Sequence, residues 1–253
     1  MKRIAISVMT LAGAVSIAAL AQRGGGGNST EINNVPYDGR FTYARIKYSA
    51  SGSGGGGFGR RGFDVMWNHD YPRSDRTFPS MLAELTSVQA RFDASNVFTS
   101  DDPRLMSFPV VYLCEVGAWR PSEAEVVGLR TYMMKGGFVL VDDFAGQDWQ
   151  NFEEQLLRVL PDARPVRLDA SHPIFDAFYR IASLDFESNE SGTPEFYGVF
   201  EDNDPTKRLM MAVNYNFDVS EYWEMASEGR APIVATGEAF KLGINYVMYT
   251  LTH

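Results

Sequence analysis

The chain has 253 residues, 45% of them hydrophobic and 13% aromatic, a formal net charge of -9 and a single cysteine. That length and composition suit one globular domain with a substantial core, or two small ones. The negative charge argues against nucleic-acid or anionic-membrane partners, and one cysteine excludes an intrachain disulfide and a cysteine-based zinc site.

Met1-Lys2-Arg3 is a short basic start, followed from Ile4 to Leu20 by an uncharged apolar run. Ala19-Leu20-Ala21 places small residues where a signal peptidase reads, so residues 1–21 are expected to be a signal peptide cleaved to leave Gln22. The alternative is an uncleaved anchor, for which the run is short against the roughly 20 residues of a spanning helix. No cysteine follows the run to carry a lipid. Either way the reading is an exported protein, periplasmic or extracellular, of a bacterial envelope, with no membrane span after cleavage.

Gly24 to Gly27 and the polar residues after them make residues 22–38 a flexible leader to a single α/β domain over 39–253. Phe41 to Tyr48 is a candidate strand. Gly52, Gly54 and Gly57 then satisfy the spacing of a dinucleotide-binding turn. That turn needs a helix to open at the glycines, and Phe58 to Phe63 has no helical periodicity, so a surface loop is the reading. Phe78, Met81, Leu82, Leu85 and Val88 recur at helical spacing, with Pro79 tolerable in a first turn. Asp101-Asp102-Pro103 opens a short turn or helix. Phe108 to Cys114 is an apolar strand buried on both faces.

Ser122 and Glu125 form a capping box for a helix carrying Val126, Leu129 and Met133 on one face, stopped by Gly136-Gly137. Phe138 to Val141 is a second buried strand, ending in Asp142-Asp143. A helix through Trp149, Phe152, Leu156 and Leu160 follows, then a short strand from Pro165 to Leu168 and a loop holding His172. Phe196 to Phe200 and Leu209 to Asn214 read as strands around a polar turn. Thr236 is expected to cap a last helix through Phe240, Ile244, Val247 and Leu251. Alternation of this kind implies a mainly parallel sheet with helices on both faces.

Ligands of parallel sheets bind outside the carboxyl ends of the strands. Cys114-Glu115, Asp142-Asp143 and the loop of His172 are predicted to meet on one such rim. A Cys114/His172 nucleophile pair, oriented by Glu115 or Asp142, is one chemistry for it. Cys114, however, continues a strand of Val, Tyr and Leu, where a free cysteine commonly acts as a small core residue, and the packed reading is favoured. Asp142 or Asp143 can offer a carboxylate to a hard cation beside His172 or Glu115, or can simply cap the following turn. Adjacent residues of an extended strand point oppositely, so at most one of the two faces a shared site.

The segment Trp67-Asn68-His69-Asp70-Tyr71-Pro72-Arg73-Ser74-Asp75-Arg76 mixes aromatic, acidic and basic groups, as a binding rim or as helix-capping ion pairs. Asn214-Tyr215-Asn216 offers further amide donors, or a turn. The ligand-binding candidates are therefore Asp70, Tyr71, Glu115, Asp142, Asp143 and His172, with Cys114, His172 and Asp142 as catalytic candidates. No cofactor and no resident metal is assigned.

The chain also resembles a bacterial family, domain of unknown function 4159. The resemblance is carried by Phe41 to Tyr48, Asp70-Tyr71-Pro72 with Asp75 and Phe78, Gly136 to Phe144, His172 to Phe175, Leu242 to Tyr246, and Thr252-His253. It implies a fold similar to class I glutamine amidotransferases, a flavodoxin-like three-layer sandwich. Those enzymes carry their cysteine in a glycine-flanked elbow with a later His-x-Glu. Cys114 has no such flanks and His172 is followed by Pro173-Ile174, so no catalytic triad carries over.

The functional expectation is a non-catalytic binding or assembly module of the cell envelope, for an envelope protein or a small polar ligand. A hydrolase-like enzyme using the Asp142/Asp143/His172 rim, with or without a metal ion, is the alternative. An exposed aromatic patch around Trp67, Tyr71 or Trp223 would mark the former.

Overall fold

The computed structural model describes residues 32–49 and 66–253. The segment expected to be a signal peptide and both glycine runs, with the dinucleotide-like spacing, lie outside the described residues. Seven strands form one sheet in the order β2-β1-β3-β4-β7-β6-β5. They are β1 (Phe41–Ile46), β2 (Ala90–Phe98), β3 (Val110–Cys114), β4 (Phe138–Asp142), β5 (Val166–Arg167), β6 (Glu195–Phe200) and β7 (Leu209–Tyr215). The five from β2 to β7 along that order run parallel, whereas β6 is antiparallel to both its neighbours. The described α-helices are α1 (Ser74–Leu85), α2 (Glu123–Met134), α3 (Asp148–Val159), α4 (Val219–Ala226) and α5 (Ile233–Thr252). The predicted mixed, mainly parallel α/β class is therefore what the chain adopts.

Every residue of β1, β3 and β4 is buried, as apolar central strands require. Alternate side chains feed two separate cores. Tyr112, Leu140 and Ala212 join Phe78 and Leu82 of α1, Trp223 of α4 and Ile244 of α5 in one. Val111, Val139 and Met211 join Leu129 of α2 and Leu156 of α3 in the other. The capping box forms as read: Ser122 Oγ accepts from Glu125 N, and the Glu125 carboxylate accepts from Ser122 N at 2.8 Å.

Four features differ from the sequence reading. Strand β2 is an addition to the expected elements: it is a sheet edge, and its exposed Asp93 with half-buried Arg91 and Ser95 breaks the apolar pattern. The domain also begins before residue 39. Asn34 exchanges two hydrogen bonds with the backbone of Val97 (2.9 and 2.8 Å), and Asn96 does the same with Val35 (2.7 and 3.2 Å). Side-chain amides thereby do along this edge what a paired strand would, and the end of the expected leader is held. Helix α4, also unforeseen, is capped by Asp218, whose side chain accepts from Glu221 N. Helix α5 starts at Ile233, so Thr236 lies in its first turn and bonds back to Pro232 O instead of capping. Among the described residues no helix is long and apolar enough to cross a membrane.

Candidate functional site

The carboxyl ends of β3, β4 and β7 open on the same side because these strands are parallel. The connection between β1 and α1 arrives there too, and its end carries Trp67 to Arg73. What holds that connection is a charged side chain on β1, the strand next to the β2 edge. Arg45, on β1, is fully buried and pairs with buried Asp75 at the start of α1, Nη2 to Oδ1, at 2.6 Å. Its Nη1 donates to the carbonyls of Trp67 (3.2 Å) and His69 (3.0 Å) and to Cys114 Sγ (3.1 Å). The guanidinium also lies 4.6 Å from the centre of the Tyr112 ring, where a cation is attracted to the π face.

With its backbone anchored in this way, His69 reaches Asp143 across 74 residues of sequence, Nδ1 to Oδ2 at 2.6 Å. Glu115 Oε1 is 3.7 Å from the same nitrogen. Asp70, Glu115 and Asp143 all take left-handed backbone, with φ of 59°, 51° and 59°. This conformation is uncommon outside glycine and costs of order 1–3 kcal/mol per residue, so it persists only where surrounding structure enforces it. Here it turns the side chains at three loop positions toward one another.

Beneath them lies a buried polar network. Asp142 accepts from Asn214 Nδ2 (2.8 Å) and from the backbone N–H groups of Val219 (3.1 Å) and Ser220 (3.2 Å), and contacts Tyr112 OH at 3.0 Å. Tyr112 OH is also 2.6 Å from Ser220 Oγ, which in turn lies 2.5 Å from Asp70 Oδ2 and 3.0 Å from Asp218 Oδ1. Tyr246 on α5 closes the network by donating to Asn214 Oδ1 at 2.6 Å. His69, Asp70, Asp143 and Asp218 each present a ligand atom, all within 4.8 Å of one another.

Crowding of carboxyls out of water dominates the electrostatics. Burial, with the Asp143 charge added, pushes Glu115 up to about 8 and Asp142 up to about 7. Burial likewise raises Asp70 to about 6, against the hydrogen bond from Ser220. Asp218 moves well above the carboxylate range for the same reason, with Asp143, Asp70 and Asp142 adding to burial. His69 is raised to about 10, chiefly by its hydrogen bond to Asp143, so it carries the positive charge at this rim.

The rim is therefore real in outline and different in membership. Glu115 and Asp143 are brought together as expected, and Asp70, a candidate from the separate segment before α1, joins them. Asp142 is adjacent but turned into the network beneath, consistent with the opposite facing of neighbouring strand residues. Tyr71 is half-buried beside Trp67, their rings 6.1 Å apart, at the edge of the site.

His172 is a correction. Its ring lies against Phe200 (5.8 Å) and Tyr249 (5.9 Å), and Phe200 pairs with Leu209 at the opposite, amino end of β7. Strand β5 is only two residues long, and the chain after it folds back down the sheet instead of out over the rim. A Cys114/His172 pair is thus absent, and an Asp142/Asp143/His172 rim does not form. Cys114 is fully buried, and burial pushes its thiol well above the usual range. Trp223 is also buried, stacked on Phe78 at 4.3 Å, so it belongs to no exposed patch.

His69, inside a segment already singled out, supplies the imidazole instead. Sequence reading missed Arg45, Asp218 and Ser220. An arginine flanked by Ala44 and Ile46 inside a predicted strand was the one available signal for the first. A cavity of about 240 Å³, lined by Tyr37, Phe41, Gln89, Pro109 and Leu251 among others, lies at the amino ends of β1 and β3, away from these groups.

The fold and rim define a mixed α/β domain with an acidic, imidazole-bearing site at its strand ends. The chain belongs to the family described as Domain of unknown function (DUF4159), whose model matches residues 42–251. No curated protein matches it.

Proposed function

We propose that this chain is a binding module with a flavodoxin-like, three-layer architecture, whose seat for a small polar ligand is the rim of His69, Asp70, Glu115, Asp143 and Asp218. The strand order β2-β1-β3-β4-β7 supports the architecture, since it follows the 2-1-3-4-5 order of doubly wound sheets. In such sheets the order reverses between β1 and β3, and ligands sit at that switch point. The β1–α1 connection that carries His69 ends beside it.

The observation that carries the reading is the His69–Asp143 contact at 2.6 Å, ringed by further carboxyls at an opening where His69 is half-exposed. A negative, partly desolvated rim favours cations and polyhydroxylated or amine-bearing molecules. Binding is preferred to hydrolysis because the nearby nucleophile candidates are sequestered. Cys114 is a buried thiol, and Ser220 Oγ is enclosed by Tyr112, Asp70 and Asp218.

One arrangement favours an enzyme: Glu115 Oε1 lies 3.7 Å from His69 Nδ1, and burial pushes Glu115 up to about 8, a range that suits a general acid. The hydrolase-like alternative accordingly moves to Glu115, His69 and Asp143. Export to the envelope, with the mature chain starting at Gln22, is part of the proposal and rests on the basic-apolar start and Ala19-Leu20-Ala21. Intact-mass measurement on envelope fractions tests it.

Thermal-shift screening against sugars, polyamines and envelope fragments tests the seat. A ligand at 100 times its Kd adds about 2.7 kcal/mol of stability. The shift is expected to vanish in Glu115→Gln and His69→Ala. A ligand whose shift survives both substitutions places the seat elsewhere.

A further inference from the structure

We propose that His69, Asp70, Asp143 and Asp218 form a site for a divalent transition-metal ion of the zinc or manganese type. The inference deepens the rim reading and rests on it, naming the ligand the rim takes.

The first observation is geometric. Four candidate ligand atoms from three separate stretches of chain lie within 4.8 Å of one another. Bonds of about 2.0–2.2 Å from one central ion place its ligands about 3–4.4 Å apart; the widest separations must therefore close by a few tenths of an ångström, while His69 Nδ1 and Asp143 Oδ2, 2.6 Å apart, part by a similar amount as the ion displaces the proton between them. One imidazole and three carboxylates is a donor set suited to zinc or manganese, whereas magnesium and calcium favour oxygen alone.

The second observation is independent of the clustering. Asp218 is fully buried, and while its Oδ1 accepts from Glu221 N at 2.9 Å and meets Ser220 Oγ, its Oδ2 has no hydrogen-bond partner among the described residues. A buried carboxylate oxygen left without a donor is costly, and native structures rarely keep one without a reason such as an ion. Asp218 already serves α4 as its cap through Oδ1, so capping accounts for one oxygen and not the other.

Asp142 and its partners act as the outer shell. Asp142 fixes the start of α4 through the Val219 and Ser220 amides, and thereby the position of Asp218. Arg45 fixes the carbonyl of His69. Ligands held by such second contacts lose less freedom on binding.

The test uses the whole mature chain, stripped with a chelator and titrated with Mn2+ alone, free ion being read from its electron paramagnetic resonance signal. Zn2+ is then added as competitor. One ion per chain is expected, displaced by Zn2+. Affinity should fall at least about tenfold in Asp218→Asn and in His69→Ala, the loss that even outer partners of a metal site can cause. Asp204→Asn, on an exposed turn elsewhere, should bind as the parent does. If Asp218→Asn fails to fold, His69→Ala decides, because that side chain is half-exposed.

No saturable Mn2+ or Zn2+ binding below about 1 mM, an affinity of only some 4 kcal/mol, overturns the proposal. Unchanged affinity in folded His69→Ala does so too. A polar organic ligand that protects the chelator-treated parent but not His69→Ala, with no ion bound, would overturn the ion and leave the rim reading standing. Ion binding with no organic ligand found would sustain the ion and restrict the rim to it.

Discussion

Removing Asp75 should unsettle both the fold and the rim, and the structure gives the size of the effect. Arg45 and Asp75 are each fully buried and joined at 2.6 Å. Asp75→Ala leaves a guanidinium inside the protein with only the Trp67 and His69 carbonyls, Ser74 Oγ and Cys114 Sγ as acceptors. Breaking a buried pair from one side costs about 3–5 kcal/mol, which for a chain of this size is a fall in Tm of about 6–20 °C.

Arg45→Met should cost somewhat less, because an orphaned carboxyl can regain a proton whereas a guanidinium cannot shed one. The double variant Arg45→Met/Asp75→Leu removes both charges, and apolar replacement of a buried pair is often neutral. It should recover most of the lost stability, yet it still lacks the donors that tether the Trp67 and His69 carbonyls. Its Tm should therefore approach the parent's while ligand or ion binding at the rim stays weakened. Urea and thermal unfolding followed by circular dichroism, with binding measured alongside, read both effects. A loss below about 1 kcal/mol in Asp75→Ala, the value of an exposed pair, would refute the argument. So would a double variant no more stable than the worse single one.

Gly243 on α5 faces Trp223 and Phe78, and an added Cβ would lie 2.4 and 2.7 Å from their ring atoms, so Gly243→Ala should destabilise by about 1–3 kcal/mol in chemical denaturation. Cys114→Ala should leave ligand response intact and lower stability by about 1 kcal/mol, and the native thiol should react slowly with thiol reagents; rapid labelling would contradict its burial.

The ion-free protein should lose stability as pH rises from 5 to 8. Asp70, Asp142 and Glu115 are raised to about 6, 7 and 8 in the folded chain, from 3.8, 3.8 and 4.5. The folded state thus holds protons that the unfolded chain has released, and His69, raised from 6.5 to about 10, adds in the same direction above neutrality. A Tm that climbs across that interval would show these groups to be ionised in the fold.

The order of elements was legible wherever one stretch of chain contains its own reasons. The Ser122/Glu125 box, the Gly136-Gly137 stop, and the apolar runs ending at Cys114 and Asp142 depend on neighbours a few residues away, and each formed where read. The mainly parallel sheet followed, since a strand, a helix and a strand in succession leave one handed crossover. The edge strand β2 escaped because its exposed positions need no apolar side chain, and α4 because its cap, Asp218, reads equally as a turn residue.

The site divides the same way. That Glu115 and Asp143 lie at strand ends, with Asp70 on the connection that leads from β1 into α1, follows from sequence order and the rule that parallel strands open on one side. Which imidazole joins them does not: of the two histidines in loops, His69 and not the expected His172 meets the carboxyls. His172 follows a strand of two residues whose chain doubles back along the sheet, while His69 is drawn in by Arg45 on β1, which donates to its carbonyl. Pairings such as His69 with Asp143 or Asp70 with Ser220 span 74 and 150 residues. No local pattern encodes a contact of that range, because it exists only once the sheet has stacked its strand ends and the excluded water has forced buried charges to find one another.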